Sequence, residues 1–177
     1  MGAWVKVALA LLCVGVFAAL IIYFVCRKKS TAKQLMYYEC ICAAAIYLLL
    51  LAYITIFDRE RMAERYIQII PFSDIIYGLQ NKSRLDLELV ILNIFMFIPG
   101  GIVFGYILTY KKVPFFKIIL LGASLTLLVE ISQYISIRGI FDINDIIYNL
   151  LGYIIGALIV RSIRKKILTK KYVKNLI

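Results

Sequence analysis

The chain has 177 residues, 63% of them apolar, with a net charge of +11 and a mean hydropathy of +0.91. That hydropathy excludes an ordinary water-soluble domain, and the basic residues sit in short runs beside apolar segments, as membrane topology signals and anionic-lipid contacts do; no nucleic-acid surface is expected. Histidine is absent, which removes His-based acid–base catalysis, Ser-His-Asp triads and His-ligated metal sites.

Val7–Cys26 is an uncharged run of 20 residues, long enough at about 1.5 Å per residue to cross the hydrocarbon. Arg27, Lys28, Lys29 and Lys33 follow it, so the segment reads as a retained transmembrane helix rather than a cleaved signal. The four cysteines (Cys13, Cys26, Cys40 and Cys42) lie in or beside the first two apolar segments and read as small membrane-helix residues. A second span runs from about Tyr38 to Phe57. Within the connection that follows, Tyr66–Leu79 is apolar but interrupted by Pro71, too short to span, and reads as an interfacial or re-entrant piece.

Glu88–Tyr110 is the third span and holds Asn93, Pro99 and Gly100-Gly101, which predict a kink or a close helix approach. The fourth covers about Phe115–Ile135. The fifth covers about Asp145–Val160 and carries Gly152-x-x-x-Gly156, a small-residue face for helix packing. The expected architecture is an all-α polytopic membrane bundle of about five transmembrane helices plus the interfacial segment. It divides into residues 1–36 (first helix and basic loop), 37–160 (transmembrane domain) and 161–177 (basic cytoplasmic tail). With the N-terminus outside, inner segments hold fourteen Lys/Arg against seven in outer ones. This bias predicts N-out, C-in in the cell membrane.

Polar groups concentrate between Glu130 and Gly156. Glu130 and Gln133 share a helix face, and Asp142, Asp145, Asn149, Gly152 and Gly156 step by three, four, three and four, one helical stripe. Such groups are costly in hydrocarbon, roughly 2.5–3.5 kcal/mol for a centrally placed Asp, so they pair, line a wet cavity or carry a function. Under the predicted orientation Arg59, Asn93, Glu130, Gln133, Arg138, Asp142, Asp145 and Asn149 fall in one slab at the outer leaflet, which suggests an outward-facing polar pocket. Simpler roles stand beside that one. Glu130 can pair with Arg59 or Arg138, Asp142 can cap the fifth helix with Asp145 complementing its dipole, and the amides can bond between helices. Pro99, Gly101, Gly152 and Gly156 read as helix-packing residues.

The ordered series Asn93-x-x-x-Phe97-x-Pro99-x-Gly101, then Glu130-x-x-Gln133, then Arg138-Gly139-x-Phe141-Asp142-x-x-Asp145-x-x-x-Asn149-x-x-Gly152-x-x-x-Gly156 resembles the VanZ-like family of bacterial membrane proteins. Ile70-Pro71-Phe72 and the Arg59 region join the resemblance, which covers about Tyr53–Val160. Pro99-Gly100-Gly101 departs slightly from the family, where a bulky apolar residue often separates Pro and Gly. The resemblance implies a multi-pass protein of the bacterial cytoplasmic membrane and no cofactor. The name-giving member is associated with resistance to the glycopeptide teicoplanin.

A transporter or channel subunit is disfavoured by the short helix count and the lack of a detectable internal repeat; two functions remain. One is an envelope protein whose pocket binds a lipid head group, a cell-wall intermediate or a glycopeptide, with membrane lipids as its surroundings. The other is a membrane enzyme on a lipid-linked substrate, with Glu130 and Asp142/Asp145 as acid and base or as ligands of a hard divalent cation. No separate metal-ligating set stands out in the sequence.

Overall fold

A computed structural model describes the backbone of residues 32–174 and the side chains of residues 34–83 and 87–165. The expected first span, Val7–Cys26, lies outside the described residues. Among these, four helices are long and apolar enough to cross a membrane, and the chain is a multi-pass membrane protein of all-α organisation. It divides into two compact units, ending at Arg59 and beginning at Glu60.

The first unit contains α1 (Ala32–Ala52), which continues as a π-helical turn over Tyr53–Phe57. The Thr55 hydroxyl donates to the Leu51 carbonyl at 2.7 Å, a back-bond of the kind that loosens the regular helical ladder. The Asp58 N–H closes the turn on the Tyr53 carbonyl at 2.9 Å. Arg59 lies just past this turn, at the end of the unit.

The second unit contains β1 (Ile67–Gln68), α2 (Ser73–Gln80), α3 (Arg84–Tyr110), α4 (Phe115–Ser136), β2 (Phe141–Asp142) and α5 (Ile143–Lys174). Instead of one interfacial piece, the 66–79 segment forms a two-residue strand and a short helix separated by Pro71. Its apolar side chains Ile69, Ile70, Phe72, Ile76 and Leu79 remain exposed, as suits a membrane interface. Helix α3 continues through Pro99 without a break. Helix α5 begins at Ile143 and runs past Val160 to Lys174, so residues expected as a separate tail extend the helix.

Helices α3 and α5 run in the same direction. Asn93 of α3 meets Asp145 of α5 at one end, and Arg164 donates to the Thr109 carbonyl at 2.6 Å at the other. Their seam is built from glycine. A Cβ added at Gly152 would meet the Ile94 carbonyl oxygen, one at Gly156 the Ile98 carbonyl, and one at Gly101 the Tyr153 carbonyl. Backbone meets backbone here because no side chain intervenes, the close approach that small-residue faces allow in membranes. Pro99 is exposed on α3 rather than in this seam. Helix α4 runs back against the pair, with Gly122 against the buried Tyr153 ring. Phe97, Ile118, Val129, Tyr148, Tyr153 and Ala157 are buried in the unit, while Leu89, Phe95, Leu120 and Leu128 point outward, as hydrocarbon contact requires.

Two unpredicted strands hold the polar end together. They pair in parallel, Ile67 opposite Phe141 and Gln68 opposite Asp142. The Met62 N–H donates to the Ile137 carbonyl at 2.8 Å, and Arg65 donates to the Tyr134 carbonyl while lying over its ring. The 62–68 segment is therefore laid along the connection from α4 to α5.

Candidate functional site

The site is assembled at the N-terminal end of α5. The Asp142 carboxylate accepts the Asn144 N–H at 2.8 Å and so caps the helix. The Asp142 N–H in turn donates to Glu130 Oε2 at 3.0 Å. Glu130 is fully buried, so a carboxylate on α4 fixes the backbone from which Asp142 projects. Burial pushes the Asp142 carboxyl above its ordinary value, and the hydrogen bond from Asn144 opposes part of that rise.

Asn144, also fully buried, reaches across to α2. Its Oδ1 accepts the Phe72 N–H and its Nδ2 donates to Ser73 Oγ at 2.9 Å. Gln68 Nε2 donates to the same hydroxyl at 3.2 Å, and Ser73 Oγ lies 3.3 Å from Asp74 Oδ1. One amide thus holds the start of α2 against the start of α5. The result is a convergence of three carboxylates: one oxygen each from Asp74, Asp142 and Asp145, all within 4.8 Å of one another. At an effective permittivity near 20, two unit charges at that spacing repel by about 3 kcal/mol. Such a cluster persists only with compensating partners, and Asn93 of α3 supplies one by donating from Nδ2 to Asp145 Oδ1.

Tyr148 follows Asp145 by three positions on α5 and shares its face. Its side chain is 3% exposed, its hydroxyl has no hydrogen-bond partner among the described residues, and its charged neighbours are Asp74, Asp142 and Asp145. Gln133 and Asn149 are equally buried, and their side-chain carbonyl oxygens likewise have no such partner among the described residues. Buried polar atoms in proteins are nearly always hydrogen-bonded, so three at one end of a bundle mark a place made for a further polar group.

Backbone strain flanks the same place. Helix α4 ends with Ile137 at φ 58°, where the Arg138 N–H bonds the Gln133 carbonyl and the Ile137 N–H the Tyr134 carbonyl. This is a Schellman end in which a β-branched residue occupies the left-handed position usually given to glycine. Phe72 is also left-handed, at φ 60°, and is held there by Asn144. Residues in such conformations cluster at functional sites.

Of the residues singled out from sequence, the structure brings together Asn93 with Asp145 and Glu130 with Asp142, and sets Asp142 beside Asp145. Gln133 lies in the last turn of α4 and the half-buried Arg138 just past its cap at Ile137, and Asn149 lies one turn beyond Asp145. Arg59 belongs to the first unit. Asp74, Asn144, Ser73, Gln68 and Tyr148 were not foreseen. The signal for Asp74 was its position three residues after Pro71 in a stretch nearly free of charge. For Asn144 and Tyr148 it was their place among the acidic residues that open α5.

A family model described as VanZ/LLP1 matches residues 44–165, a stretch that contains every residue of this convergence. No curated protein and no solved structure matches the chain.

Proposed function

This chain belongs to the VanZ/LLP1 family of membrane proteins, and from that premise we propose that the polar groups at the start of α5 bind the polar part of an envelope lipid or lipid-linked cell-wall component, and thereby contribute to glycopeptide resistance of the teicoplanin type. The observation that carries this reading is the group of buried polar atoms without hydrogen-bond partners, on Gln133, Tyr148 and Asn149, beside an interhelical carboxylate cluster. A ligand bearing hydroxyls and amides supplies what those atoms lack. In this reading that end of the helices faces outward, with the C-terminus inside. Supporting this, Lys111, Lys112, Lys117, Arg161, Arg164 and Lys165 gather at the opposite end of the helices, where the positive-inside rule puts the cytoplasm.

The test is a binding screen of lipids and cell-wall precursors on the purified chain in nanodiscs. Saturable binding that Asn149→Leu and Gln133→Leu each weaken supports the proposal; no saturable ligand, with teicoplanin susceptibility unchanged by deletion, refutes it. The carboxylate cluster favours a second reading, an enzyme acting on a lipid-linked substrate. In that case Asp145→Asn abolishes turnover while leaving ligand binding intact.

A further inference from the structure

Beyond ligand binding, at the same end of α5 and sharing Tyr148 with that reading, we infer that Asp74, Asp142 and Asp145 hold a calcium ion, with the Tyr148 hydroxyl accepting a hydrogen bond from one of the ion's waters. Acidic side chains often cluster at protein surfaces without binding anything. Two features set this cluster apart. Asp74 on α2 lies 68 residues before Asp142 on β2 and 71 before Asp145 on α5, and they are brought together by buried Asn144, whose side chain bonds Phe72 N–H and Ser73 Oγ at the start of α2 while its own N–H bonds Asp142. The second feature is Tyr148: a phenol 97% removed from solvent, without a hydrogen-bond partner among the described residues, whose charged neighbours are these same three groups. A buried hydroxyl without a partner lacks what a hydrated cation supplies.

The choice of ion follows from ligand chemistry and spacing. The donors are all oxygen and no nitrogen or sulfur ligand takes part, which selects a hard cation. Calcium binds oxygen at about 2.3–2.6 Å, so two ligands on opposite sides of one ion sit at most about twice that distance apart. The carboxylate oxygens, all within 4.8 Å of one another, fit that limit as they stand. Magnesium, at about 2.0–2.1 Å, requires them to close further or to be bridged by water. Asn93 fixes Asp145, and Asn144 fixes Asp142, so two of the three ligands are oriented before the ion arrives.

The experiment uses the full chain in nanodiscs of uncharged lipid, stripped with a chelator and equilibrated with radioactive calcium, with empty nanodiscs as blank. The expected result is one ion per chain. Asp74→Asn and Asp145→Asn each weaken binding by at least about tenfold, and Tyr148→Phe, which keeps the ring, weakens it severalfold. Asp58→Asn, outside the cluster, leaves it unchanged. Absence of saturable binding by the unsubstituted chain overturns the inference, whatever the variants do. Saturable binding that survives the triple Asp74→Asn, Asp142→Asn, Asp145→Asn change also overturns it. Magnesium competing more strongly than calcium overturns the choice of ion. Because calcium is measured alone, these outcomes are separate from failure of the ligand screen.

Discussion

Replacing Gly152 with alanine adds one methyl group to the place where α5 lies closest to the polar end of α3. That carbon would collide with the carbonyl oxygen of Ile94 and crowd its carbonyl carbon at 2.8 Å. These are backbone atoms, so no rotamer change relieves the clash and the helices must separate. Overpacking of this kind costs about 1–3 kcal/mol. Ile94 adjoins Asn93, whose bond to Asp145 is stretched by the same movement; interhelical hydrogen bonds in membranes average about 0.6 and reach about 1.7 kcal/mol. Alanine returns about 1 kcal/mol through its higher helix propensity. The net expectation is a loss of about 1–3 kcal/mol, which reduces the folded-to-unfolded ratio by roughly 5- to 150-fold. Reversible unfolding of the purified protein in detergent measures it. Gly105→Ala is the internal comparison: its Cβ would meet Ala157 Cα at 3.1 Å, a contact relieved by a few tenths of an ångström. If Gly152→Ala is as stable as the unsubstituted chain, or if Gly105→Ala is the worse of the two, the close α3–α5 seam is wrong.

Ile137→Gly relieves a left-handed conformation that costs a branched residue about 1–2 kcal/mol, so it raises thermal stability despite removing a side chain. Asn144→Leu removes both bonds between α5 and α2, at about 1 kcal/mol or more each, and releases α2; protease cleavage near Pro71 should become faster. The pH dependence has a defined sign. Because burial raises the Asp142 carboxyl above its ordinary value of 3.8, the folded state binds this proton more readily than the unfolded one. Its contribution to stability therefore grows as pH falls through the raised value and is absent at neutral pH. Asp142→Asn should flatten that part of a stability–pH profile measured in the apo protein.

Within the described residues the spans were legible because hydrocarbon imposes a length and an apolar composition that the sequence displays directly. The starts of α4 and α5 and the end of α3 fall within a few residues of their expected positions. The lower end of α5 was harder to place, since Arg161, Arg164 and Lys165 read as a tail although basic residues continue a helix readily beyond the membrane. The polar stripe from Asp142 to Asn149 was visible as spacing on one helix. Asp74 was not, because its place depends on Asn144 bonding a backbone N–H 72 residues away, and hydropathy carries no record of such a pairing. The β1–β2 ladder escaped notice for a related reason: two residues per strand leave no alternation to detect.

Carboxylates distant in the chain are proposed to meet at one point on the outer side of the membrane. This meeting is tested most directly with Asp74→Cys and Asp145→Cys together, in a chain whose native cysteines are replaced by serine. A short, membrane-impermeant bifunctional thiol reagent is added to intact cells, and an engineered protease site at residues 111–113 reports whether the halves stay joined. Rapid joining from outside is expected, abolished when either substitution is made alone. Two halves that separate, with both thiols reacting only after the membrane is permeabilised, would contradict it.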